Sequence, residues 1–257
     1  MGVRRLGWRA CYELLAARVR RPEWAFMNYG YAPLADDHLP LRLEPQDESD
    51  RLSIGLYEQA IGDTVLAGRD VLEVGSGRGG GSSYVARYHR PRRTVGLDFS
   101  AAAVALSRRH RTADGLEFVH GDAQSMPFPD ASFDVVLNIE SSHCYGSVPE
   151  FLAEVHRVLR PGGVLLFADF RAADDVPALL GMLRSAGLEL KAHADVTANV
   201  VAALRLDDGR KAALIEAWLP RVAHPLMRRF AALEGSRGFE AFATARTRYL
   251  SAQLVKP

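Results

Sequence analysis

The sequence predicts an α/β fold built on a parallel sheet, and three observations carry that expectation. From Asp70 onward, short apolar runs alternate with stretches of helical periodicity. A glycine cluster, Gly75 to Gly81, sits between the first of those runs and the first helix. The 257 residues are 48% hydrophobic and 25% charged, enough to bury one large core without covalent staples.

The elements follow in order. Trp8, Cys11, Tyr12, Leu15 and Val19 recur at helical spacing among arginines, which predicts an amphipathic basic helix over 8–21 that Pro22 ends. An aromatic stretch, Trp24 to Tyr31, and a polar loop with Pro33, Pro40 and Pro45 come next. Ser49-Asp50 can cap a helix running to about Ala67. Strands are expected at Val71–Val74, Thr94–Leu97, Leu116–Val119, Phe133–Ile139 and Val164–Ala168, with helices near 80–90, 101–111 and 148–160. Gly162-Gly163 reads as a turn directly before the fifth strand. A helix over Asp174–Ala186 and a strand over Leu188–Ala194 extend the alternation. It then breaks into two helices, about 198–219 and 222–234, the first interrupted at Asp207-Asp208-Gly209, before a last strand at Thr247–Val255. The organisation read from this is an N-terminal lid segment (1–69), a cofactor-binding core (70–197), a helical cap insertion (198–236) and a final strand that completes the sheet (237–257).

Bulk properties narrow the function classes. The formal net charge is +1, so no global field favours nucleic acid. Cys11 and Cys144 match no metal spacing, and no metal site is expected. Two distant cysteines and no secretory h-region suit a reduced, cytoplasmic setting. No apolar run approaches a membrane span, so integral membrane association is not expected. The Met-Gly start has Leu6 where a myristoylation motif wants Ser or Thr. A homo-oligomer stays open.

Glu73-Val-Gly75-Ser76-Gly77 follows an apolar strand and opens a helix, where glycine lets the backbone turn sharply and a ligand approach. Gly75, Gly77 and Gly80 also satisfy the dinucleotide pattern G-x-G-x-x-G. Asp98 ends the second strand, 23 residues after Gly75, where an acid can accept from both ribose hydroxyls. Ser100 is placed to cap the next helix. Gly121-Asp122-Ala123 follows the third strand, and a carboxylate there can accept from an adenine amine, although Gly-Asp is also ordinary turn chemistry.

Taken together, these residues resemble the class I S-adenosylmethionine methyltransferases. The resemblance rests on the Glu73-x-Gly75-x-Gly77 loop, Asp98, Gly121-Asp122-Ala123, Phe133 to Asn138 and Leu159-Arg-Pro-Gly-Gly163, in that order, over roughly residues 70–170. It implies a Rossmann-like, mainly parallel seven-stranded sheet with an antiparallel last strand, and S-adenosyl-L-methionine as cofactor. It further implies that Gly75, Ser76 and Gly77 line the methionine portion, Asp98 holds the ribose and Asp122 the adenine. Phe99, Gly121 and Ala123 would flank the adenine, and Asn138 would close the site. Phe26 to Tyr31, Arg78 to Ser82 and Asn138 to Tyr145 look like actinobacterial phthiotriol-type and antibiotic-tailoring O-methyltransferases.

At the reacting end, His143 follows the fourth strand and is the candidate general base, with Asp169 at the end of the fifth strand orienting it. Tyr29 is the expected lid contact to the cofactor, since aromatic faces attract a sulfonium as they attract an ammonium. Tyr31, Glu140 and Trp218 are the expected substrate contacts. Val200, Val201, Leu204, Leu214, Trp218 and Leu226 in the cap suit an apolar or glycosylated small-molecule acceptor, and core packing explains them equally well. The expected reaction is methyl transfer to a hydroxyl of a natural product. N- or C-methylation by proximity, a nicotinamide dehydrogenase and a non-catalytic scaffold are its rivals. Against the dehydrogenase stand the acid Glu73 and the absence of a Tyr-x-x-x-Lys pair.

Overall fold

The structure is a computed structural model that describes residue 19, residues 21–34 and residues 41–257. The helix expected over 8–21 therefore lies outside the described residues, apart from Val19 and Arg21, as does the segment 35–40.

The described strands are β1 (Asp70–Val74), β2 (Arg93–Asp98), β3 (Leu116–His120), β4 (Phe133–Ile139), β5 (Leu159–Ala172), β6 (Glu189–Asp195) and β7 (Thr247–Val255). They form one sheet in the order β3-β2-β1-β4-β5-β7-β6. The five strands from β3 to β5 are parallel, while β7 runs antiparallel to both β5 and β6. The sheet order reverses between β1 and β4, and a crevice opens at the carboxyl ends there.

Residues of alternating parity feed two core layers, as a sheet covered on both faces requires. Val71, Val135, Leu137 and Leu166 pack with α1 (Arg51–Ile61), α2 (Gly80–His89) and α6 (Thr197–Trp218). Leu72, Val136, Leu165 and Phe167 pack with α4 (Val148–Val158) and α5 (Val176–Arg184). Ser100 caps α3 (Ala101–His110), accepting from Ala103 N–H at 3.1 Å.

Four expectations are corrected. Helix α1 stops at Ile61 rather than Ala67, because Gly62 turns with φ +52°. Ser49-Asp50 lie in a 3-10 turn, Pro45–Asp50, and Asp50 makes no side-chain cap bond. Gly162-Gly163 lie inside β5, where its register with β4 shifts between the Phe133–Leu159 and Val135–Val164 pairs. Helix α6 runs unbroken through Asp207-Asp208-Gly209. There Asp207 is buried and pairs with Arg210 at 2.5 Å and Lys211 at 3.4 Å, so i,i+3 and i,i+4 ion pairs brace the turn.

The second late helix is shorter than expected: a 3-10 turn, Arg221–Ala223, leads into α7 (His224–Phe230). The stretch read as holding only the last strand also contains α8 (Arg237–Ala243), capped by Ser236. Its Phe239 and Phe242 join the core beneath the strap formed by residues 24–31.

Candidate active site

Beyond β1 the chain turns through Gly75 with φ +80°. A Cβ there would lie 2.4 Å from Ser141 Oγ and 3.1 Å from the Tyr145 hydroxyl, so only glycine fits. Asp98, at the end of β2, reaches over this turn and accepts from Gly77 N–H at 2.7 Å and Ser100 N–H at 2.8 Å. Glu73 is buried beneath the loop and accepts from the Tyr57 hydroxyl at 2.5 Å and from the Ser82 hydroxyl. Burial pushes its carboxyl up, against the pull of those two donors. Glu73 thus ties α1 and α2 to β1 and does not itself line the crevice.

The crevice is a cleft of about 1060 Å³. Its walls include Gly75, Ser76, Gly77, Asp98 and Phe99, with Gly121 and Ala123 beyond β3. Ala25, Phe26, Met27 and Asn28 of the strap form the opposite wall. Asp122 is not in the wall; its carboxylate accepts from Gln124 N–H at 3.0 Å. Asn138 is fully buried behind the cleft, and its amide donates to Val74 O at 2.9 Å and to Ser141 Oγ and the Tyr145 hydroxyl, both at 2.8 Å. Through that fork it sets Ser141 and Tyr145, which do line the cleft and were not singled out from sequence. Their signal was present: both fall inside the Asn138 to Tyr145 segment.

At the far end of β4, Glu140 lines the cleft with its backbone at φ +51°, a strained value for a residue other than glycine. Its carboxylate accepts from Tyr29 N–H at 2.9 Å and the Tyr249 hydroxyl at 3.0 Å. Burial pushes it up to about 8. Next to it, His143 Nδ1 lies 2.8 Å from Asp169 Oδ1. Asp169 also accepts from His143 N–H at 2.8 Å, Phe170 N–H at 2.8 Å and the Ser142 hydroxyl at 2.5 Å, and it pairs with Arg171 at 3.1 Å. Burial disfavours the imidazolium, but the Asp169 carboxylate wins and pushes His143 up to about 10. Asp169 is correspondingly held far below the usual carboxylate range, since His143 and Arg171 outweigh its burial. His143 stacks on Phe170 with centroids 4.3 Å apart.

A second cavity of about 610 Å³ shares Phe26, Met27 and Asn28 with the cleft. Tyr29, Lys211, Trp218 and Met227 are among its walls. Tyr29 faces this cavity rather than the cleft and packs against Phe170 at 5.5 Å and Phe242 at 5.2 Å. Tyr31 lines neither cavity; it is buried in the core, with its N–H bonded to Leu52 O at 2.9 Å. Val200, Val201 and Leu204 are core residues as well, and Leu226 is exposed. Leu214 and Trp218 alone of those six cap positions border the second cavity.

Ser76 Oγ is buried with no hydrogen-bond partner among the described residues, in a residue of the cleft wall. With the glycine cradle and the acid Asp98 at the end of β2, this lining fits a polar nucleoside ligand. Among the described residues no group of three or more His, Cys, Asp or Glu could hold a metal, and no helix is long and apolar enough to cross a membrane.

Comparison with known proteins agrees with this geometry. A family described as a methyltransferase domain matches residues 72–167. The chain is 38% identical to a fatty-acid O-methyltransferase of Mycolicibacterium smegmatis over 96% of its own length and 88% of the relative's. It is 37% identical to a phthiotriol/phenolphthiotriol dimycocerosates methyltransferase of Mycobacterium leprae, over 90% of this chain and 84% of the other. Among solved structures, geranyl diphosphate C-methyltransferase from Streptomyces coelicolor shares the fold, with TM-score 0.64 and 18% identity over 96% and 98% of the two chains. Family membership removes the nicotinamide-dehydrogenase reading that the glycine pattern had left open. The chain belongs to the S-adenosylmethionine-dependent methyltransferases.

Proposed function

We propose that this enzyme methylates a hydroxyl oxygen of a small natural product with a large apolar body, with His143 as general base. The observation that carries the reading is the His143–Asp169 pair, which ties the turn after β4 to β5 just past the last β4–β5 pair, Ile139–Ala168. Neither residue lines the cleft or the second cavity, but Glu140 and Cys144 on either side of His143 line the cleft. Bound S-adenosylmethionine supplies an activated methyl group on a sulfonium, so the protein's tasks are alignment, exclusion of water and removal of one proton.

The chain divides those tasks as follows. Gly75, Ser76 and Gly77 receive the methionine portion and Asp98 the ribose hydroxyls, while Asp122, outside the cleft wall, shapes the turn after β3 through Gln124 N–H. Phe99, Gly121 and Ala123 flank the adenine, while Glu73 and Asn138 hold the loop from behind. Tyr29 closes the strap over the site from the acceptor side. The acceptor occupies the second cavity, against Trp218, with Glu140 at its junction to the cleft. Its hydroxyl would lose a proton to His143 Nε2 as the oxygen takes the methyl group and the methyl–sulfur bond breaks, leaving S-adenosylhomocysteine, with Asp169 holding Nδ1. The apolar walls of that cavity, together with the apolar substrates in the names of both curated relatives, support the acceptor class.

A His143→Gln variant tests the assignment. With an alcohol acceptor it should lose about 10²–10⁴ in kcat and keep its affinity for S-adenosylhomocysteine. Unchanged turnover would remove His143 as the base. One observation favours a second reading, a carboxylate acceptor: a histidine pushed up to about 10 is mostly protonated at neutral pH, and an imidazolium can pair with a carboxylate that needs no base.

A further inference from the structure

Helix α7 and the turn before it have two unlike faces. Met227 and Phe230, three residues apart, line the second cavity. On the other side Val222 is 89% exposed and Leu226 is 56% exposed, and Arg221, Arg228 and Arg229 are exposed beside them. No acidic residue occurs between Glu216 and Glu234, so this segment carries three arginines and no compensating carboxylate. None of the three forms an ion pair among the described residues, whereas Arg205 and Arg210 on neighbouring α6 are paired with Glu234 and Asp207.

A wholly exposed valine and a largely exposed leucine ringed by unpaired cations are poorly explained as a solvated surface. Water gains nothing from the two apolar side chains, and a soluble fold can place such residues inward. The same composition on a short amphipathic element suits the boundary of a bilayer, where apolar side chains enter the acyl layer and arginines meet anionic headgroups. The inner face of this element walls an apolar chamber, so a bilayer against its outer face would lie one helix thickness from the chamber's Met227, Phe230 and Trp218.

We propose that the outer face of residues 221–229 docks on an anionic lipid surface, placing the second cavity next to a bilayer. The inference concerns a partner and stands whichever acceptor oxygen is methylated.

Co-sedimentation of the full chain with large unilamellar vesicles tests it. The chain should sediment with vesicles of 30% phosphatidylglycerol in phosphatidylcholine, a composition chosen at roughly the charge density where basic patches bind. It should stay in solution with phosphatidylcholine alone, and salt should weaken the binding. The variant Arg221→Gln/Arg228→Gln/Arg229→Gln should lose about fivefold in partitioning per arginine. The variant Val222→Ser/Leu226→Ser should weaken binding while leaving its charge unchanged. Both should keep wild-type affinity for S-adenosylhomocysteine, which shows that they fold. Absence of sedimentation with anionic vesicles would overturn the proposal. So would undiminished binding of both variants, which would locate the lipid contact elsewhere, and so would binding only to an acidic soluble protein.

Discussion

His143 Nδ1 lies 2.8 Å from Asp169 Oδ1, and Asp169 is fully buried. The pair titrates far outside the physiological range, with the carboxyl pulled down and the imidazole pushed up to about 10. A group whose folded value is raised stabilises fully below its unfolded value, about 6.5 for histidine, and loses that contribution as pH rises through the folded value. The wild-type melting temperature should therefore decline progressively between about pH 6.5 and 10. His143→Gln should start lower and lack that part of the decline. Thermal melts across this interval make the comparison, and identical slopes in the two proteins would show that the pair is not ionised.

The same titration separates the two acceptor readings. A general base works only when deprotonated, so for an alcohol acceptor kcat/KM should climb about tenfold per pH unit until it levels near 10. For a carboxylate acceptor held by the imidazolium, the rate should be flat at neutral pH and fall as the proton is lost. Asp169→Asn removes the charge that raises the histidine and should move either inflection to lower pH. NMR titration of the His143 ring gives the shift independently of turnover.

At the glycine turn, Gly75→Ala should lower affinity for S-adenosylhomocysteine at least tenfold, read by calorimetry. Two effects add. The residue must keep φ +80°, costing on the order of 1–3 kcal/mol, and its Cβ would overlap Ser141 Oγ and Cβ, at 2.4 and 2.5 Å. Adding Ser141→Gly removes both overlapping atoms but not the backbone strain. The double variant should recover part of the lost affinity; full recovery would assign the whole effect to the clash.

The sequence made the sheet legible because local pattern determined it. Val71 to Val74 and Phe133 to Ile139 have apolar side chains on both faces, which only a doubly covered strand requires. The cleft wall at the switch in strand order was legible for a similar reason: Gly75, Gly77 and Asp98 line it from the strand ends, and spacing along the chain fixes that. The cap was harder. Gly209 suggested a break in α6, yet the ion pairs of Asp207 with Arg210 and Lys211 span the site, and Gly209 lies where an added Cβ would meet nothing. Tyr31 and Leu226 were misplaced because apolar character does not say which way a residue faces when several short elements meet. Ser141 and Tyr145 are set at the cleft by the amide of Asn138, by Val74 O and by each other, contacts that periodicity cannot show.

Arg78 supplies the last prediction. It directly follows the glycine turn, and its side chain is buried, 2% exposed, with no carboxylate partner among the described residues. Burial accordingly pushes it down to about 10. Its guanidinium instead donates to three backbone carbonyls, that of Trp24 in the strap at 2.5 Å and those of Val19 and Arg21 just before it at 2.7 Å and 2.9 Å. It also lies 4.9 Å from the Trp24 ring. One side chain thus fastens the strap to the loop it faces across the cleft. Arg78→Met keeps much of the volume and removes every donor, leaving those carbonyls to find water. We expect a loss of about 3 kcal/mol of stability, since each buried acceptor left unpaired costs on the order of 1–3 kcal/mol and some will be rehydrated. Arg78→Lys should rescue little, because an ammonium on a flexible stem cannot reproduce the planar fork or its stacking on Trp24. Chymotrypsin cleavage after Trp24 should accelerate in both variants, and S-adenosylhomocysteine should dissociate faster from them than from the wild type. Unchanged protection at Trp24 would mean that the strap is held by Glu140 and its own packing, with Arg78 contributing nothing to the latch.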